Sequence, residues 1–116
     1  MDKRLVDMFA AKHWTTLTGL YPKLCAYECP KIVLCNRLTK TAGKSCQEDR
    51  IIRLANKYFT RNAVEIFAIV LPHELIHQAD FDLNGKSEKS CGHGEKWHSM
   101  MIKFGIPADK YHSMEL

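Results

Sequence analysis

Two histidines and one glutamate carry the strongest chemical signal in this chain. The run His73-Glu74-Leu75-Ile76-His77 spaces two imidazoles four residues apart. On a helix that spacing puts both on one face, where they can share a metal ion. Glu74 stands one step round the helix and can reach a water on that metal without being a ligand. The H-E-x-x-H order therefore points to zinc-assisted hydrolysis, and one Zn2+ per chain is the expected cofactor. A catalytic zinc takes three protein ligands and keeps a fourth position open. Cys91-Gly92-His93-Gly94 follows further on, a Gly-rich loop able to fold His93 back as the third ligand. Glu88, Glu95 and the Cys91 thiolate are the alternatives by ligand chemistry. The extended pattern H-E-x-x-H-x-x-G-x-x-H is excluded, because Asp80 and Leu83 occupy the positions it reserves for Gly and His.

The metal pair needs a helix beneath it. Ala63 to Leu71 is apolar on nearly every face, as a buried central helix requires. Asn62 with Glu65 three residues later resembles a capping box and marks its start. Asp82-Leu83-Asn84-Gly85-Lys86 reads as a turn, ending the helix near Asp80 or Phe81. Pro72 lacks an N–H and collides with the carbonyl four residues back, so a continuous helix over 63–80 with a kink at Pro72 is expected. A second helix is predicted over Glu95 to Phe104, with Trp97, Met101 and Phe104 as an apolar core stripe, Gly105 just past its end and Pro107 as a stop. His98 on this helix is read as a supporting or surface residue.

Upstream, residues 2–17 form an amphipathic helix capped by Asp2, with Leu5, Phe9 and Trp14 or Leu17 facing the core. His13 is read as packed or surface, since no spaced partner accompanies it. Thr18-Gly19-Leu20-Tyr21-Pro22 closes that helix. Lys31 to Leu38 is a strand, Thr41-Ala42-Gly43-Lys44 a hairpin turn, Ser45-Cys46-Gln47 a short strand, and Arg50 to Ala55 a third. The resulting plan is α+β, a small three-stranded sheet packed on the buried helix. Residues 108–116 read as a loosely held end.

At 116 residues the chain supports one core, so a single domain over 1–116 is expected. No apolar run is long enough to cross a bilayer, and Asp7 interrupts the only stretch resembling a secretion signal. A cytoplasmic protein without membrane contact is expected. The five cysteines suit a reducing compartment better than a disulfide framework, and Cys25, Cys29 and Cys35 lack the C-x-x-C spacing of a zinc knuckle. They are read as free thiols. Charge is unevenly spread. Residues 1–61 hold twelve Lys or Arg against five acids, and residues 62–116 five against eight, which gives +7 and −3 within the net +4. The basic half, with Lys31, Arg37, Lys40, Lys44, Arg50, Arg53, Lys57 and Arg61, is a candidate DNA surface.

Taken in order, Asn36-Arg37-Leu38, Thr41-Ala42-Gly43, Ile51-Ile52-Arg53-Leu54, the H-E-x-x-H run and Gly92-His93-Gly94 before an aromatic helix resemble the SprT-like family of zinc metalloproteases. The resemblance covers roughly residues 5–105 and stops short of the cysteine-pair zinc ribbon of many bacterial relatives. It implies a minimal zincin-like fold, His73, His77 and His93 as zinc ligands, Glu74 as catalyst, and cleavage of DNA-associated proteins. DNA contact is then expected from the basic first half. Two other readings stand beside it: a DNA-associated regulatory protein with a structural zinc, and a zinc peptidase of a soluble partner without DNA.

Overall fold

The third strand is the most buried of the sheet, with Ile52, Leu54 and Ala55 all fully inside, and it takes the centre. The computed structural model describes residues 1–36, 42–85 and 95–106. Within them the fold is α+β, with four α-helices and one mixed sheet. Strand β3 (Ile51–Ala55) lies between β1 (Lys31–Cys35) and β2 (Gly43–Cys46), parallel to the first and antiparallel to the second. The register pairs Ile32 with Ile52, and Ser45 with Ile52 on the other side. The expected hairpin between the first two strands is thus corrected, because β1 and β2 flank β3 and do not pair. Gly43, Lys44 and Ser45 have little apolar area to bury, so β2 settles at an edge. β1 ends at Cys35, short of the predicted Leu38; residues 37–41 lie outside the described residues.

Inward-facing Ile32, Ile52 and Leu54 are buried with Leu71, Leu75 and Ile76 in one core. The outer face of the sheet carries Lys31, Lys44 and Arg53, since side chains alternate along each strand.

Helix α1 (Lys3–Leu20) opens where Asp2 accepts from the Arg4 N–H at 2.9 Å. It runs a turn beyond the predicted end, with Thr18 and Gly19 still helical and the Thr18 hydroxyl donating to the Thr15 carbonyl at 2.8 Å. The face it buries is Val6, Ala10, Trp14 and Leu17. Leu5, expected inside, is exposed, and Phe9 packs half-buried on Phe67 with ring centroids 4.5 Å apart.

The central helical run starts earlier and ends later than predicted. Helix α2 (Phe59–Glu65) begins three residues before Asn62, which sits inside it in a non-helical conformation (φ −127°, ψ 25°) and donates its amide to the Tyr58 carbonyl at 3.0 Å. Asn62 is therefore a bend within the run and not its cap. A π turn, Ile66–Val70, leads into α3 (Leu71–Asn84). The distortion expected at Pro72 takes this form, a wide turn just before the proline, in which the Leu71 N–H bonds the Ile66 carbonyl. Helix α3 extends to Asn84 and closes through Gly85 at φ 76°, whose N–H bonds the Phe81 carbonyl at 2.8 Å.

Tertiary contacts carry that last turn past the predicted stop. The Asp82 side chain is buried and paired to Arg50 at 2.5 Å, and it accepts from Gln78 at 3.0 Å. Arg50 also donates to the Glu28 carbonyl and lies over the rings of Trp14 and Tyr27. These partners hold Arg50 at φ 55°, a backbone state uncommon outside glycine. One member of the basic half is thereby committed to the fold.

Helix α4 (Glu95–Phe104) matches its predicted span. Gly105, at φ 98°, and Ile106 both donate to the Met101 carbonyl, and this Schellman end satisfies the last turn. Among the described residues Cys25, Cys29, Cys35 and Cys46 are free thiols. Burial pushes the Cys29 thiol up to about 11, so the free thiol is protonated at neutral pH. No helix among the described residues is long and apolar enough to cross a membrane.

Candidate metal centre

The first turns of α3 bring His73, Glu74 and His77 together, all three buried. One ligand atom from each lies within 4.8 Å of the others. His73 Nε2 and His77 Nε2 are 3.1 Å apart, with ring centroids at 4.8 Å. Two imidazoles on a tetrahedral zinc, each about 2.05 Å from it, would hold their nitrogens about 3.3 Å apart. The pair therefore fits a shared zinc ion, and nitrogen donors at this separation suit that metal.

Glu74 Oε1 stands 4.0 Å from His73 Nε2, beside the metal position. Burial pushes its carboxyl up to about 7, because an ionised carboxylate loses hydration there. At neutral pH such a group can both take and release a proton.

Two further residues shape the site in ways that their sequence readings, a core stripe for Trp97 and a hairpin turn for Gly43, did not assign. Trp97, predicted as core, is buried but spends its ring on the histidines. It stacks on His77 (5.0 Å between centroids, 12° between planes) and meets His73 edge-on (5.0 Å, 68°). Its place in an apolar stripe hid this role, since stripe membership fixes which face is buried and not what lies opposite. Gly43 brings the edge strand β2 against α3. A Cβ there would lie 3.0 Å from Val70 Cγ1 and 3.3 Å from Glu74 Cγ. Gly43→Ala is expected to destabilise the fold by about 1–2 kcal/mol through overpacking and to displace Glu74. Chemical denaturation and the activity of the same variant measure the two effects.

His93, predicted as the third ligand, lies outside the described residues, as do the alternatives Glu88 and Cys91. Glu95 is exposed at the start of α4 and does not join the group, and His98 is exposed as predicted. His13 is half-buried and hydrogen-bonded to the Phe67 carbonyl at 2.8 Å.

Comparison with known proteins follows the same lines. The family model described as the SprT-like family matches residues 15–112. Protein SprT of Salmonella arizonae is 35% identical over 91 residues, 78% of this chain and 53% of that protein. Protein SprT of Vibrio atlanticus is 32% identical over 91 residues, covering 78% and 52%. The chain thus spans about half the length of the curated relatives it matches. No solved structure matches it. A family match over most of the chain, together with a buried histidine pair on the helix where the motif requires it, places this protein in the SprT-like family.

Proposed function

We propose that the protein is a zinc-dependent endopeptidase acting on DNA-associated proteins, with His73, His77 and His93 as zinc ligands and Glu74 as the proton-transfer group. The observation that carries this reading is the buried histidine pair, 3.1 Å between Nε2 atoms, with a buried carboxylate beside it. Zinc, when bound, acidifies a water and polarises the scissile carbonyl. Glu74 takes the proton from the attacking water at a carboxylate oxygen and delivers it to the leaving amine. Its burial raises its proton affinity above that of a solvated carboxylate. His73 and His77, held by helix geometry on one side and the Trp97 ring on the other, enter the reaction without rotating. A substrate strand can add to β2, the sheet edge that passes Glu74 at Gly43.

For the nucleic acid, the support is the outer face of the sheet. Lys44 and Arg53 are register partners there, with Lys31 on the same face and Lys57 and Arg61 exposed nearby in the chain. With about four phosphate contacts, duplex DNA affinity should fall about 10²-fold between roughly 50 and 200 mM salt. A salt series of binding isotherms measures it; no binding at low salt leaves a peptidase without DNA.

The deciding experiment is cleavage of a basic DNA-binding protein by the zinc-loaded chain, with and without single-stranded DNA. Cleavage that needs DNA supports the full reading. Cleavage indifferent to DNA keeps the peptidase and removes the nucleic acid. Stoichiometric zinc with no cleavage of that substrate under either condition favours a structural zinc in a DNA-associated regulator.

A further inference from the structure

The π turn before Pro72 leaves a specific debt in the backbone. In an α-helical register the Phe67 carbonyl would accept from the Leu71 N–H, but that N–H bonds Ile66 instead. In the π register it would accept from residue 72, and Pro72 has no N–H. Phe67 has lost both helical donors. A half-buried carbonyl in that position needs one from elsewhere.

His13 supplies it. His13 Nε2 lies 2.8 Å from the Phe67 carbonyl oxygen, and since a carbonyl only accepts, the hydrogen is on Nε2. Burial holds the His13 pKa below its ordinary value, opposed by the bond to Phe67 and aided by Lys12. The ring is therefore neutral at pH 7, with its single hydrogen committed to Phe67. The same ring contacts Phe9 on α1 and meets Phe104 of α4 edge-on at 5.7 Å. His13 thus touches both elements that build the centre: the turn immediately before His73 and Glu74, and the helix that carries Trp97 onto the two imidazoles.

We propose that His13 is a positioning residue for the metal centre, its Nε2–H replacing the donor that Pro72 withholds from Phe67 and so fixing the wide turn from which His73 and Glu74 project. The inference rests on reading His73 and His77 as metal ligands. It separates the hydrogen bond from mere packing through a double-variant cycle, because Pro72→Ala restores a backbone N–H beside the orphaned carbonyl.

The test measures zinc affinity by chelator competition, and the denaturation midpoint of the metal-free chain, for wild type, His13→Leu, His13→Gln, Pro72→Ala and His13→Leu/Pro72→Ala. His13→Leu is expected to weaken zinc binding about tenfold, the scale of one half-buried carbonyl left unsatisfied, and to lower the midpoint. His13→Gln, which keeps a donor at the end of the side chain, should recover most of both losses. In the Pro72→Ala background the same His13→Leu change should have almost no effect. An equal loss in both backgrounds overturns the proposal, since a ring that only packs against Phe9 and Phe104 would not respond to residue 72. Unchanged zinc affinity in a folded His13→Leu chain overturns it as well. Should His13→Leu not fold, the double variant must fold and bind zinc as Pro72→Ala does; its failure also overturns the proposal. A wild-type chain that takes up no zinc sinks the peptidase reading and with it the positioning role, while the midpoints still report whether His13 serves as the donor to Phe67.

Discussion

Glu74→Gln is expected to lower peptide-bond cleavage about 10³-fold, within the range a positioned general base contributes, while zinc content stays at that of wild type. The substitution keeps the side-chain shape beside Val70 and Gly43 but removes the ability to take a proton. Glu74 Oε1 lies 4.0 Å from His73 Nε2, too far to be one of a closely held ligand pair, so the metal should not depend on it. Steady-state cleavage and metal analysis on the same preparation check both halves. Loss of zinc together with activity would recast Glu74 as a ligand. Retained activity would remove it from the chemistry altogether.

The second large effect concerns the metal-free chain and runs against intuition. Removing the charge of Glu74 should stabilise it at high pH. The folded carboxyl titrates near 7 against 4.5 for the free group, so the folded state binds the proton more tightly than the unfolded state does. Below 4.5 both states are protonated and the group contributes no difference. As pH rises towards 7 the unfolded chain ionises freely while the folded one resists, and stability falls. Above 7 the loss is complete, at about 3 kcal/mol from the size of the shift. Glu74→Gln, neutral throughout, should escape this fall. Urea denaturation of the two metal-free proteins from pH 5 to 8 should show the variant gaining over wild type by an amount that grows with pH and levels off above 7. A difference flat with pH would mean that Glu74 is solvated. Zinc should shrink the effect, because a dication beside the carboxylate favours its ionised form.

Both expectations come from one arrangement, and it is a costly one for a small protein. Nine consecutive residues of α3, Leu71 to Ala79, are buried, and four of them bear groups that prefer water, of which Gln78 bonds the Gln47 carbonyl and Asp82. The apolar remainder anchors the helix to the sheet. The other polar three, His73, Glu74 and His77, face β2, Trp97 and the candidate metal position. An ionised carboxyl held there in the absence of metal destabilises the chain. A bound metal would relieve this by giving the carboxylate a counter-charge.

Much of this was legible in the sequence. His73, Glu74 and His77 needed only helical spacing to be recognised, because residues four apart share a face whatever surrounds them. The α+β class, the span of α4 and the Asp2 cap were likewise set by local rules: the period of the apolar residues, the cap chemistry, and Gly105 past the end. The errors fell where a local preference was outweighed by a contact distant in the chain. Asp82 to Gly85 has the composition of a turn, but the part-buried pair of Asp82 with Arg50, thirty-two residues apart, holds it in the helix. The hairpin predicted between β1 and β2 was undone by β3, which pairs with both and so takes the centre. Trp97 and His13 read as ordinary packed residues, since nothing in their own neighbourhoods names the imidazoles or the Phe67 carbonyl they meet. The sequence by itself determined which residues could bind a metal and move a proton. Only the tertiary structure decided what holds them in place, because an aromatic face, a strand edge and a donor for an orphaned carbonyl all come from segments that local spacing cannot bring together.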